Sequence, residues 1–357
     1  MAKKVFMAGN VAIAEGAILA GCQAYFGYPI TPQNEILEHF ARRMPELGRV
    51  FVQTESELAA INMVYGAGAS GCRTMTSTSG PGFSLQQEGI SYLAGAEIPA
   101  VIVNVMRGGP GLGNIGGAQG DYFQTVKGGG HGDYRLIVLA PASVQEMLDL
   151  TVLAFELADK YRNPTIVLTD GYLGLAMEPV EMREAVTRIP LKPWAITGAY
   201  GRPKNIINSF EMDPANFPPR VKKLLAKYTE IECSEVRFEG VHLNDAQIVI
   251  VAYGSASRAA LSAIKQARSE GIKVGLFRPI TLFPFPSQAL AELAGKVANF
   301  LVAEMSAGQL IEDVKLAVPG KKVDLVCRYG GVPLPAEDIF EALRKINGEF
   351  YSINSKF

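Results

Sequence analysis

The chain has 357 residues, of which 48% are hydrophobic and 19% charged, and its formal net charge is −1. That length exceeds one typical core and favours two domains. The balanced charge leaves no electrostatic footprint for nucleic acid or for an anionic membrane.

The opening stretch MAKKVFMAGNVAIAEGAILAGC places two lysines before an apolar run, as a signal peptide does. Asn10 and Glu15 interrupt the run, and no small-residue cleavage site precedes a polar start. It is expected to form a strand at 5–7 and a helix at 12–20. No segment is long and apolar enough to span a bilayer. From there to about residue 170, short apolar runs (AYFGYP, VFVQT, TMTSTS, AVIVNVM, LIVLA, TIVLTD) alternate with helical patterns. The helical patterns are QNEILEHFARRM, ELAAINMVYGAGASG, GFSLQQEGISYLAGA and SVQEMLDLTVLAFELADKY. Strand and helix in alternation predict an α/β fold, a mostly parallel doubly wound sheet covered on both faces. Ligands of such sheets gather at the carboxyl ends of strands.

Residues 177–243 read differently, with many prolines, scattered charges and the single tryptophan, Trp194. The stretch RIPLKPWAITGAYGRPKNIINSFEMDPANFPPR has little periodicity. It is expected to be an ordered connector lying over a site rather than a domain, since its aromatics argue against a disordered linker. A second α/β unit of about a hundred residues follows. Its strands are AQIVIVAYGS, IKVGLFRPI, NFLVAEMS and KKVDLVCRYG, and its helices SRAALSAIKQARSEG and AEDIFEALRKI.

Cys22, Cys72, Cys233 and Cys327 are scattered and form no C-x-x-C, which argues against a zinc or iron–sulfur site on this chain alone. A disulfide framework is not expected at this size, and a reducing cytoplasm suits such thiols. Thr54 and Glu57 fit a Thr-x-x-Glu capping box at a helix start. A carboxyl followed by LAAINMVYGAGA also sits where low dielectric favours sharing a proton. The two readings are alternatives that can also hold together. In YPITP, Thr31 and Pro32 suit a helix cap with proline at the first helical position. A hydroxyl and free amides there also suit a substrate carboxylate. Arg107 ends a strand, where it is either solvated or grips a carboxylate with two parallel hydrogen bonds. The long Gly-rich loop 107–133 behind it is read as a close-approach segment or a mobile lid. His131 in that loop is the histidine expected nearest a site. Neither GPGLG nor GPGFS matches a dinucleotide or P-loop fingerprint, and Ser84 lacks a nucleophile elbow.

The blocks GYPITPQNEI, TESELAAINMVYGA, TSTSGPGFSLQQEGISYLAGAEIP, VNVMRGGPGLG and GDYFQTVKGGGHGD resemble the α subunit of 2-oxoacid:ferredoxin oxidoreductases. The likeness spans nearly the whole chain. It is greatest to the 2-oxoisovalerate (branched-chain) type, with the 2-oxoglutarate type next. The resemblance implies thiamine diphosphate shared with a partner chain. It implies a pyrimidine-binding domain at 1–185, the connector at 186–243 and a transketolase C-terminal-like domain at 244–357. The family's glutamate matches Glu57, whose implied task is to hydrogen-bond the pyrimidine N1′. Tyr28, Pro29, Ile30, Gly80 and Pro81 would line the cofactor, and Thr31 and Arg107 would hold the substrate carboxylate. Mg²⁺ and a [4Fe–4S] cluster are expected on partner chains, because this sequence lacks the Gly-Asp-Gly metal signature and cluster cysteines. The β subunit, γ and δ subunits, ferredoxin and coenzyme A are the implied partners. The implied reaction is oxidative decarboxylation of a 2-oxoacid to acyl-CoA. The alternatives are 2-oxoglutarate or pyruvate as substrate, a non-catalytic scaffold subunit, or a nucleotide-binding dehydrogenase disfavoured by its missing fingerprint.

Overall fold

The computed structural model describes residues 4–354. Its first unit runs β1 (Lys4–Ala8), α1 (Gly9–Leu19), β2 (Ala24–Gly27), α2 (Asn34–Glu46), β3 (Val50–Gln53), α3 (Glu57–Ala69), β4 (Thr74–Thr78), α4 (Pro81–Gly95), β5 (Val101–Met106), α5 (Tyr122–Val126), β6 (Ile137–Leu139), α6 (Val144–Tyr161), β7 (Thr165–Asp170), α7 (Gly171–Leu175) and β8 (Met177–Glu181). The connector contains a short 3₁₀ turn and α8 (Phe217–Ser234). The second unit runs β9 (Phe238–Val241), β10 (Ile248–Val251), α9 (Gly254–Ser269), β11 (Val274–Pro279), β12 (Thr281–Phe283), α10 (Ser287–Ala294), β13 (Asn299–Glu304), α11 (Leu310–Ala317), β14 (Lys322–Cys327) and α12 (Ala336–Asn354).

The main sheet has seven strands in the order β12-β6-β7-β5-β4-β2-β3, all parallel except β12. Every residue of β4, β5 and β7 is buried, as strands covered by helices on both faces must be. Helix α1 packs against α2 and α6, and α3 packs against α4, which gives the two covering layers. β1 and β8 form a separate antiparallel ribbon.

The second sheet, β14-β13-β10-β11-β9, is parallel apart from β9. Along β10 the pleat sends Val249 and Val251 to one core and Ile248 and Ile250 to another. The first of these cores is continuous with that of the main sheet, and the second lies under α9 and α12. β12 leaves its own unit and pairs antiparallel with β6, Thr281 opposite Leu139. Beside it Arg278 forks onto both carboxylate oxygens of Glu146 in α6 at 2.7 and 2.9 Å.

The connector departs from the sequence expectation in three ways, the first being that Phe238–Val241 near its end form β9 of the second sheet. It contains an 18-residue helix, α8, where prolines at its first turn hid the pattern. It also does not lie over the site. Its amides reach the carbonyls of Leu19 and Ala69, Lys192 pairs with Asp159, and Arg220 reaches the Gly95 carbonyl. All four groups stand at the helix ends that feed the amino ends of strands, opposite the edge where ligands gather. Trp194 is held there against the Arg162 guanidinium, 4.4 Å from its ring centre.

Candidate active site

Four adjacent strands finish side by side, in the order β5, β4, β2, β3. The turns leaving them carry Arg107, Gly80 with Pro81, Tyr28 to Thr31, and Glu57. The sequence-predicted residues therefore stand in one row on the carboxyl edge of the sheet. The winding also reverses here, because β3 lies on one side of β2 and β4 on the other. Doubly wound sheets open a crevice at such a point.

Glu57 is the first residue of α3 and only 5% exposed. The expected Thr54 capping box does not form. The Thr54 amide already donates to the Gly27 carbonyl at 2.9 Å, so no glutamate is needed to satisfy it. Ser56 is the cap instead, in extended conformation, its hydroxyl accepting from the Ala59 amide at 3.2 Å. Thr54 supports it by donating its hydroxyl to the Ser56 carbonyl at 2.9 Å. Glu57 is thus free of a capping task, and among the described residues its carboxyl has no hydrogen-bond or ion-pair partner. Glu55 next to it is exposed.

What the carboxyl touches was not singled out in the sequence. A β-carbon on Gly82 would stand 2.3 Å from Glu57 Oε1 and 2.2 Å from Thr78 Oγ1. Only glycine leaves room for both oxygens. The signal was available in GPG, a second glycine where a strand turns into a helix, the place where a backbone approaches something closely.

Arg107 is 9% exposed. Its Nη1 donates to the Thr31 carbonyl at 3.0 Å and its Nη2 to the Leu112 carbonyl at 2.9 Å, while its buried Nε has no partner. Gly80, at φ 46°, lets the guanidinium pass: a β-carbon there would lie 3.4 Å from Arg107 Nε. Thr31 is exposed, and neither it nor Pro32 begins a helix as expected. A cis bond joins them, and α2 starts at Asn34. The turn is held by its own network before the helix begins. Asn10 donates to the Pro32 carbonyl at 2.8 Å, and Gln33 donates to the Tyr28 carbonyl at 3.1 Å. Beneath it Ser77 binds both Gln33 and the Tyr25 hydroxyl at 2.6 Å. Tyr28 and Pro29 are left exposed at the tip, Ile30 half-buried.

A cavity of about 630 Å³ opens between the units, lined by Gly80, Pro81, Arg107 and Asp121 on one side and Met305, Ser306 and Gln309 on the other. Burial pushes the Asp121 carboxyl up from its ordinary range, against hydrogen bonds from Asn104 and Gln124. The Gly-rich loop is a tie between units, not a lid. Gln119 exchanges bonds with Met305 and donates to the Tyr253 carbonyl, Asn114 reaches Gly330, and Tyr122 donates to Asp313 at 2.6 Å. Asp170 makes a parallel tie. One carboxylate oxygen caps α7 through the amides of Tyr172 and Leu173, and the other accepts from Ser255 at 2.5 Å. Burial raises its pKa. His131 lies elsewhere, in an apolar groove with Tyr92, Gly95 and Phe217 near the connector. Among the described residues, no group of three or more His, Cys, Asp or Glu is placed to hold a metal, and no helix is long and apolar enough to cross a membrane.

A chemical fit is visible in this arrangement. A partnerless buried acid with a glycine that opens space beside it, and an arginine with a spare N–H beside a second glycine, can receive a basic ring nitrogen and an anion together.

Comparison with known proteins bears on that fit. Residues 15–232 match the family described as pyruvate flavodoxin/ferredoxin oxidoreductase, thiamine diphosphate-binding, and residues 246–339 match pyruvate:ferredoxin oxidoreductase core domain II. The ketoisovalerate oxidoreductase subunit VorB of Methanothermobacter thermautotrophicus is 56% identical over 96% of this chain and 97% of its own. The 2-oxoglutarate synthase subunit KorA of Archaeoglobus fulgidus is 40% identical over 92% and 95%. Among solved structures, the 2-oxoglutarate:ferredoxin oxidoreductase of Magnetococcus marinus, with 2-oxoglutarate, coenzyme A and succinyl-CoA bound, superposes with TM-score 0.86 at 28% identity. That match covers 96% of this chain but only 65% of the solved one. A split-gene transketolase matches at TM-score 0.57 and 16% identity, which speaks for the fold alone.

Proposed function

The chain belongs to the 2-oxoacid:ferredoxin oxidoreductase family, and from that premise we propose that Glu57, Thr31 and Arg107 carry the chemistry of its complex. The reaction is the coenzyme A-dependent oxidative decarboxylation of a branched-chain 2-oxoacid such as 2-oxoisovalerate, with electrons passed to ferredoxin. High identity to a ketoisovalerate oxidoreductase subunit supports the substrate class. In the cavity Arg107 is the one cation among this chain's lining residues, which suits a substrate with a single carboxylate.

The observation that carries the assignment is the buried carboxyl of Glu57, without a partner on the edge where ligands gather. Bound thiamine diphosphate would supply a carbon nucleophile and a sink for the electrons left by the departing carboxyl group. Glu57 would hold a proton at the pyrimidine N1′, and its dry surroundings strengthen that hydrogen bond. Tyr28, Pro29 and Ile30, with Gly80 and Pro81, would flank the ring. Arg107 and the Thr31 hydroxyl would take the substrate carboxylate, neutralising it out of water.

The diphosphate would be held through Mg²⁺ by a β subunit that also bears a [4Fe–4S] cluster, with γ and δ chains completing the assembly. Leu58 on α3 and Leu85 on α4 are exposed in the first turns of the helices that start at the site, which supports a partner seated there. Residues 1–185 would present the ring-facing half-site, 186–243 the strap behind it, and 244–357 the support across the cavity. Four unpaired cysteines favour the cytoplasm as its compartment.

The test is reconstitution with the partner subunits, using 2-oxoisovalerate, coenzyme A and a low-potential acceptor. Glu57→Gln should lower kcat at least about 100-fold, the usual worth of a proton-transfer group, with little change in melting temperature. Near-normal turnover would refute the assignment.

A further inference from the structure

Thr78 ends β4 with its side chain fully buried, and its hydroxyl oxygen has no hydrogen-bond partner. A buried hydroxyl left unpaired costs free energy, and a native protein that keeps one requires a reason. On the same face of β4, Thr76 is engaged by Gln86 at 3.3 Å, and Thr74, at the far end of the strand from the site, is also unpartnered; Thr78 is the one beside the Glu57 carboxyl. Thr78 stands next to the Glu57 carboxyl, since both oxygens lie within 2.3 Å of the point where a β-carbon on Gly82 would be. Neither oxygen has another partner, and nothing lies between them because residue 82 is glycine. The Thr78 hydroxyl can donate, and a carboxylate can accept on either oxygen.

We propose that Thr78 is a positioning residue for Glu57, its hydroxyl donating to the carboxylate oxygen that does not face the cofactor ring. Rotation of the carboxyl about its last torsion brings the pair together when the ring is bound. Thr78 then fixes the plane of the carboxyl and leaves the other oxygen aimed at the ring nitrogen. Until that pairing forms, the hydroxyl is held ready, at a cost in stability.

This inference rests on the Glu57 assignment, and two variants test it. Thr78→Val has nearly the same shape without the hydroxyl, and Thr78→Ser keeps the hydroxyl. In the reconstituted complex Thr78→Val should lower kcat about 10- to 100-fold, the worth of one hydrogen bond to a charged group, with KM for the 2-oxoacid unchanged. Thr78→Ser should stay within about threefold of wild type. Without cofactor, the melting temperature of the Thr78→Val complex should equal or exceed wild type, because an unpaired buried hydroxyl is replaced by a methyl group. A merely structural threonine would show the reverse, with melting and activity falling together. Full activity of Thr78→Val, equal impairment of both variants, or a parallel fall in melting would each overturn the proposal. If Glu57→Gln is inactive while Thr78→Val is active, only this inference fails. If Glu57→Gln is active, both fail.

Discussion

Gly82→Ala isolates the geometry at the site from the stability of the fold. The added carbon would stand 2.3 Å from Glu57 Oε1, whereas ordinary contact begins at 3.4 Å. The carbon would also stand 2.2 Å from Thr78 Oγ1, so the threonine hydroxyl and the glutamate carboxyl must both give way, each by about 1 Å. A reacting group misplaced on that scale costs about 100-fold in rate. The fold suffers much less. Alanine in a helix gains at most about 1 kcal/mol over glycine, against about 1–3 kcal/mol for overpacking. The backbone imposes no further penalty, because residue 82 lies inside α4 without a positive φ. The assay pairs steady-state kcat of the reconstituted complex with its thermal melting. A large loss of rate with melting shifted by only a few degrees is expected. Activity within threefold of wild type would show that the Glu57 carboxyl does not work from the position seen here.

Ser255→Ala removes one hydrogen bond to the buried Asp170 carboxylate and should cost about 1.5–3 kcal/mol in urea unfolding. Burial places the folded pKa of Asp170 above its ordinary value of 3.8, so the cost of holding it charged is present above the folded value and relieved as pH falls through it. Ser255 favours the charged form, so the deficit of Ser255→Ala should shrink on acidification; a deficit that grows would contradict the tie. Ser56→Ala should cost about 1 kcal/mol through loss of the α3 cap, with Thr54→Ala costing less. The opposite ranking would restore Thr54 as the cap.

The strands were legible because each buried run is short, apolar and bounded by turn residues. AVIVNVM and TIVLTD became β5 and β7 within a residue at either end. Helix α8 was missed because proline and charge dominate its first turns, and only Leu224, Tyr228 and Ile231 are buried along its length. The cap of α3 was misplaced because the sequence shows which side chains can cap but not that the Thr54 amide is taken by Gly27 from another strand. The role of the Gly-rich loop was out of reach for a similar reason. Its partners Met305, Asp313 and Gly330 lie 186 to 216 residues away, and glycine carries no side-chain pattern. Glu57, Thr31 and Arg107 were legible as residue types at strand ends. That they stand in one row follows from the strand order, which local pattern does not encode. Thr78 went unnoticed because an unpaired hydroxyl is a property of the packed interior.

The excursion of β12 has a consequence for how the molecule comes apart. With Thr281 to Phe283 in place, β6 is an interior strand. A clone truncated after residue 243 would leave its backbone amides and carbonyls bare, a template for pairing with other chains. Heat or denaturant should accordingly dismantle both units in a single cooperative step, and limited proteolysis should yield no stable half.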